Sequence, residues 1–277
     1  PAPVLDEPGR KPEGNEALDC PDWIAPRLQA SLGPAFPAVM QALRHRAPVF
    51  LRVNVGRITV EQAQVLLAEE EIATRLNQIA KNALEVTENA RKIQNSTAYA
   101  EGLVELQDAA SQAIVEALPL TDGMRVLDLC AGGGGKTLAM AARARLRLWA
   151  HDASAARMRD IPPRAARAGV KVTLTDKPEK TASYDLILTD VPCSGSGSWR
   201  RDPQGKWALS ADRLAELGTV QLSILSRAAA MVAPGGWLAY ATCSLLEEEN
   251  ANRIATFLAT APGWRQASSL RLTPLDG

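Results

Sequence analysis

The segment that most restricts the fold is a short apolar run flowing into a glycine turn. Val126-Leu127-Asp128-Leu129 is too short for a helix, and Cys130-Ala131-Gly132-Gly133-Gly134-Gly135-Lys136-Thr137 follows it directly. A buried strand, a tight turn and a helix N-terminus satisfy that pattern. From about residue 99 onward the same alternation continues. Strands are expected at Leu146–Ala150, Val170–Leu174, Tyr184–Thr189 and Trp237–Ala241, and helices at about 135–145, 154–168, 211–232 and 246–260. Strands alternating with helices of this length predict an α/β fold with a doubly wound, mostly parallel sheet. In such sheets ligands bind outside the carboxyl ends of the strands, so strand ends are where function is sought.

Three regions are expected. Residues 1–22 hold five prolines and eight charges and read as a flexible tail. Residues 23–98 read as a small α+β domain, with helical patterns at 21–31 and 35–46 and a strand at Val49–Val55. Within it Thr59 is placed to cap a helix at 60–69, with Gln62 three residues on. Residues 99–277 form the sheet domain. Lysine plus arginine equals aspartate plus glutamate at 31 each, which excludes a protein coating nucleic acid or membrane by bulk charge. The neutrality is an average over unlike segments: residues 27–57 hold five arginines and no acid, while 143–171 hold eight bases and two acids. The longest uncharged stretch, Ala228–Leu246, is broken by Pro234-Gly235-Gly236, so no membrane span is expected. Four cysteines without CxxC pairing carry no zinc signature, and no metal is expected. Free thiols point to a cytoplasmic location. A monomer is expected.

The loop Cys130, Ala131, Gly132, Gly133, Gly134, Gly135 and Lys136 lets backbone approach a ligand, with a helix N-terminus to favour an anion. Three ligand classes compete. The dinucleotide fingerprint fails at its third glycine, where Thr137 stands; the P-loop pattern fits Gly135-Lys136-Thr137 but has Cys130 in place of its first glycine. The third class is the S-adenosylmethionine site of a methyltransferase. Asp152 after the second strand is placed for ribose hydroxyls, and Asp176 after the third for an adenine amino group. Acids at both places suit an adenosine without a triphosphate.

Asp190-Val191-Pro192-Cys193 ends the fourth strand and Thr242-Cys243-Ser244 the fifth. These ends are neighbours in the expected topology, so Cys193 and Cys243 should face one crevice beside Asp190. Together with Leu106-Gln107-Asp108-Ala109-Ala110-Ser111-Gln112 and the loop Asp128–Thr137, these motifs carry a resemblance. The chain resembles the Sun-type (Nop/Sun) RNA cytosine-5 methyltransferases, above all the bacterial Sun enzymes of small-subunit ribosomal RNA. The resemblance spans about residues 23–277 and implies a Rossmann-like methyltransferase sheet. It implies S-adenosyl-L-methionine as cofactor, Cys243 as nucleophile and Cys193 as the thiol that assists release. Where the family usually has alanine and proline, this loop has Gly132 and Gly133, so a looser loop is expected. Residues 1–22 leave no room for the extra helical domain of many relatives. One more strand is expected beyond Pro274-Leu275-Asp276-Gly277.

The expected reaction is methylation of cytosine C5 in RNA, with 16S ribosomal RNA as the expected substrate, through a covalent Cys243–C6 adduct. Asp190 would meet the base edge and the cofactor's amino group, and Lys136 the methionine carboxylate. The domain at 23–98 is expected to bind RNA, and the RNA-binding candidates are Arg52, Arg200, Arg201, Lys206 and Trp207. The alternatives are the same chemistry on transfer RNA, a P-loop-like NTPase, and a non-catalytic RNA-binding scaffold.

Overall fold

A computed structural model of the chain describes residues 11–181 and 183–276. The first half contains helices α1 (Gly14–Ala17), α2 (Ala25–Leu32) and α3 (Phe36–Leu43), strand β1 (Val49–Val53), helix α4 (Val60–Glu69), and strands β2 (Thr74–Leu76) and β3 (Ala83–Val86). Helix α5 (Thr97–Ala100), strand β4 (Val104–Leu106) and helix α6 (Ala109–Glu116) follow. Thr59 caps α4 as its spacing predicts: its hydroxyl accepts from the Gln62 amide, and the Gln62 side chain accepts from the Thr59 amide. Strands β1 to β4 form an antiparallel sheet in the order β2-β3-β1-β4.

The second half alternates as expected: β5 (Arg125–Asp128), α7 (Gly135–Ala141), β6 (Arg147–Ala150), α8 (Ile161–Ala168), β7 (Thr173–Leu174) and β8 (Tyr184–Asp190). It continues through α9 (Gly205–Ala208), α10 (Ala211–Ala229), β9 (Val232–Ala241) and α11 (Ala251–Thr260). All five strands are parallel, in the order β7-β6-β5-β8-β9, so the chain reverses direction across the sheet at β5 and β8. Successive residues face opposite sides. Val126, Leu186 and Leu188 pack with Val115, Leu118, Ala139 and Met140, while Leu127 and Ile187 pack with Ala228 and Met231. Each fully buried leucine contributes about 2 kcal/mol by burial. That double covering makes β5 and β8 the rigid centre from which the loops at their carboxyl ends project.

Several boundaries differ from expectation. Pro162 and Pro163 start α8 at Ile161, because proline tolerates a first turn but not a helix interior; the preceding Ala155–Met158 is a single 3-10 turn. Strand β9 begins at Val232 and runs through Pro234-Gly235-Gly236, with a register shift opposite Tyr184/Leu186 that absorbs them. Val104–Leu106, assigned to the second domain, is the edge strand of the first sheet, paired with β1. Helices α2 and α3 also cross the expected division. Ile24, Leu28, Phe36, Val39 and Met40 share a core with Trp199, Leu209, Leu214, Leu217 and Leu246 from the second half.

The expected tail falls partly outside the described residues, which begin at 11. Its remainder is folded against the molecule: Cys20 is buried in the core of α2 and α3, and Asp19 pairs with Lys206. Among the described residues no helix is long and apolar enough to cross a membrane.

Candidate active site

The glycine loop joins β5 to α7. Gly134, at φ 82°, is the residue before the helix, and a Cβ there would sit 2.8 Å from the Ile161 side chain. The Gly132 amide donates to Asp152 Oδ2 at 2.9 Å, and Asp152 Oδ1 accepts from the Ser154 amide at 2.9 Å. Arg157 pairs with Asp152 at 3.2 Å, and Arg164 donates to the Gly133 carbonyl. A Cβ at Gly132 would lie 3.1 Å from the Arg157 guanidinium and one at Gly133 3.3 Å from that of Arg164. The two extra glycines therefore admit two arginines against the backbone, and the loop is pinned where a looser one is expected.

Asp128, at the end of β5, is buried. Thr137 donates to its Oδ2 at 2.6 Å, while Oδ1 has no partner. Burial pushes the carboxyl up to about 7, against the Thr137 hydrogen bond. The Cys130 thiol is pushed up to about 12, first by burial and then by Asp128, Asp152 and Asp190, which keeps it protonated and unreactive.

The other half of the site comes from β8 and β9. Asp190 and Ala241 are paired in register, and the Val191 amide donates to the Ala241 carbonyl at 3.1 Å. Cys193 and Cys243 thus leave parallel strands at the same level, and their sulfurs lie 3.4 Å apart. The Gly197 amide donates to the Cys243 carbonyl at 2.8 Å and locks the two loops together. Cys243 is the exposed cysteine of the four. Its thiol is held down to about 7, chiefly because Cys193 donates to it; burial opposes this, and Ser198, 3.9 Å away, supports it. Cys193 is shifted the other way, by the same hydrogen bond and by burial. The sulfurs are close enough to share one proton, and the directions of the two shifts favour Cys243 as the thiolate.

Lys136 and Asp190 close the space between glycine loop and cysteines, 2.7 Å apart. Behind the thiols lies a polar layer with no counterpart among the sequence-derived candidates. Glu249 is buried and accepts from the Ser194 amide and from Gln221, each at 2.9 Å, and Gln221 also donates to the Pro192 carbonyl at 3.0 Å. Thr242 donates to Asn250 at 2.6 Å. The serines spaced by glycine at 194, 196 and 198 were a visible signal of hydroxyls beside a thiol. The run Glu247-Glu248-Glu249 gave none, because only the third glutamate is buried.

Several candidates lie elsewhere. Asp176 stands at the end of β7 with its side chain 88% exposed, beside Lys177, and does not join the site. Arg52 is 6% exposed, donates to Gln107 at 2.7 Å, and is pushed down to about 10 by burial. It joins the first sheet to α7 by donating to the Leu138 carbonyl, so it cannot grip RNA. Lys206 is buried against Asp19 and is likewise unavailable to phosphate. Arg201 reaches the Asp108 carboxylate at 2.6 Å. Burial lowers the pKa of Arg200, and Trp207 is solvent-exposed. Two further arginines of the basic run 27–57 are engaged within the chain: Arg27 pairs with Glu248, and Arg57 donates to the carbonyls of Glu101 and Arg167. Among the described residues no group of three or more His, Cys, Asp or Glu is placed to hold a metal ion.

Comparison with known proteins adds an independent finding. Residues 20–94 match a family model described as an RsmF/B-like methyltransferase ferredoxin-like domain. A curated relative, ribosomal RNA small subunit methyltransferase B of Klebsiella pneumoniae subsp. pneumoniae, is 34% identical over 252 residues, 87% of this chain and 58% of that protein. The protein of the same name from Vibrio vulnificus is 31% identical over 262 residues, 92% of this chain and 61% of its own. The chain thus spans about three fifths of these relatives' length. A solved methyltransferase homolog from Pyrococcus horikoshii superposes with a TM-score of 0.76 at 27% identity, covering 87% of this chain and 79% of its own. Residues 115–273, more than half of the chain, match the family model for 16S rRNA methyltransferase RsmB/F, and the chain belongs to that family.

Proposed function

We propose that this chain methylates cytosine C5 in RNA, with 16S ribosomal RNA as its substrate and S-adenosylmethionine as methyl donor, through a covalent bond between Cys243 and cytosine C6. The observation that carries this reading is the pair of sulfurs 3.4 Å apart, one favoured as thiolate and the other as thiol, at adjacent strand ends. The names of the relatives support ribosomal RNA as the substrate.

The residues present fit the donor. The Lys136–Asp190 pair offers one cation and one anion to an amino-acid zwitterion, which suits the methionine end. Asp152 is a buried acceptor at the end of β6, where ribose hydroxyls are commonly bound. A triphosphate fits less well. The Thr137 hydroxyl that a P-loop would present to magnesium is fully buried and committed to Asp128. Bound there, S-adenosylmethionine supplies an electrophilic methyl group.

Cytosine C5 is a weak nucleophile. The Cys243 thiolate adds to C6, which places an electron pair at C5 and lets it take the methyl group. Asp190 faces the same space and accepts from the amino group on the base edge. Water then accepts the C5 proton, while the Cys193 thiol, still protonated, donates its hydrogen bond to the departing Cys243 sulfur. The electrons of that C–H bond restore the double bond, and the C6–S bond breaks to free Cys243. Addition occurs from the face of the base, so the target must be unstacked, at a cost of a few kcal/mol. Exposed Trp207, which follows the Cys193 loop in the chain, supplies a stacking surface for a neighbouring base.

Two variants test the reading. Cys243→Ala should abolish transfer of labelled methyl to ribosomal RNA while calorimetry still records S-adenosylmethionine binding; retained turnover refutes the nucleophile assignment. Cys193→Ala should accumulate a denaturant-resistant enzyme–RNA band, and its absence removes the release role.

A further inference from the structure

The reaction needs one of two adjacent thiols to hold the proton and the other to lose it. Chemically identical groups 3.4 Å apart do not make that choice by themselves. Something around them must break the symmetry.

The polar layer beneath the sulfurs is asymmetric. Ser194 follows Cys193 and Ser244 follows Cys243, with their hydroxyls 3.2 Å apart. Ser196 Oγ lies 3.2 Å from each and accepts from the Leu245 amide at 2.8 Å. Glu249 engages only the Cys193 side of this layer: Oε1 accepts from the Ser194 amide and Oε2 from the Ser194 hydroxyl. Gln221 donates to Oε1 as well, and also to the carbonyl of Pro192, the residue before Cys193. Both carboxylate oxygens accept, and every one of these donors is neutral, a set that suits the ionised form.

We propose that Glu249 is the positioning residue that decides which thiol keeps the shared proton. Its carboxylate, anchored through Ser194, disfavours a second negative charge on Cys193, which therefore stays protonated and donates to Cys243. The other charged groups around the sulfurs do not make this choice. Asp190 and Lys136 act on Cys243 with opposite signs and are paired with each other. On the inner side Tyr240 donates to the Glu249 carbonyl at 2.7 Å, and Arg253 of α11 donates to the Glu248 carbonyl at 3.2 Å. The charge of Glu249 itself opposes ionisation of Cys193. This inference rests on the reading of Cys243 as the attacking thiol.

The test is competitive alkylation of the reduced full chain with limiting iodoacetamide at pH 7, without RNA or methyl donor. Mass spectrometry then gives the ratio of label on Cys243 to label on Cys193. The wild type should label Cys243 in large excess. Glu249→Gln removes the charge at nearly constant shape and should lower the ratio about tenfold, the effect of one pKa unit. Glu249→Asp should restore the ratio toward wild type, because the charge returns. A role confined to stability would lower the melting temperature of Glu249→Gln and leave the ratio unchanged, and that result overturns the proposal. So does a wild type in which Cys193 reacts first. If Glu249→Gln does not fold, Ser194→Ala, which removes only the hydroxyl link, should lower the ratio at least about twofold; an unchanged ratio there overturns the proposal equally. The readout needs no methyl transfer, so loss of the proposed activity and loss of the proton assignment are separate results.

Discussion

Gly197 offers a perturbation whose size can be worked from distances. An added Cβ would sit 2.8 Å from the Cys243 carbonyl oxygen and 3.5 Å from its carbonyl carbon. Both are backbone atoms, so no side chain can rotate away. Restoring an ordinary contact requires the two loops to separate by about 0.6 Å. The shift falls on the amide–carbonyl hydrogen bond that sets the spacing of Cys193 and Cys243. A misplacement of about 1 Å in a reacting group costs about a hundredfold in rate, so Gly197→Ala should lose about tenfold in kcat/KM, or about 1.4 kcal/mol. Overpacking should also cost about 1–3 kcal/mol of stability. Gly235→Ala is the control. It forces a left-handed backbone at φ 75° with nothing within 4 Å of the new Cβ, so it should cost about 1–2 kcal/mol of stability without touching the site. Initial rates of methyl transfer, measured well below both melting temperatures, separate the two effects. Equal activities for the two variants would refute the claim that loop spacing limits the chemistry.

Two further outcomes follow from charges buried away from the cysteines. The folded pKa of Asp128 lies above its unfolded value, so it contributes fully to stability below about pH 4 and progressively less as pH rises to about 7. Asp128→Asn keeps an acceptor for Thr137 and should lose less stability than wild type between pH 4 and 7, by up to about 4 kcal/mol; parallel urea denaturation curves across that range would show otherwise. Arg52→Gln should lower the melting temperature, because it cuts the link from the first sheet to Gln107 and the Leu138 carbonyl. It should leave the salt dependence of RNA binding unchanged, whereas a slope reduced by about one would mean that Arg52 touches phosphate after all.

Legibility in the sequence followed the range of the interactions involved. The five-stranded sheet was readable because each strand and helix carries its own periodicity, and a parallel order with a reversal is what such units build. The meeting of Cys193 and Cys243 followed from that topology alone, since each stands within three residues of the paired strand ends Asp190 and Ala241. Strand β4 was not readable. Three residues, Val104-Glu105-Leu106, have too little pattern to announce a strand, and their place beside β1 is settled by tertiary pairing. The side chains misjudged most were charged ones. Arg52 lies in a run, Val49-Phe50-Leu51-Arg52-Val53, whose apolar neighbours on both faces already implied a strand buried on two sides. Positive charge alone suggested phosphate, but in such a strand a guanidinium must find its partners inside, and it does so in Gln107 and the Leu138 carbonyl. Glu249 is the converse. Nothing in three consecutive glutamates says which one turns inward, yet Glu249 is the one that reaches the cysteine loops. A site of this kind is thus readable in its reacting atoms, which sit at strand ends, before it is readable in the buried charges around them, whose partners come from distant parts of the chain.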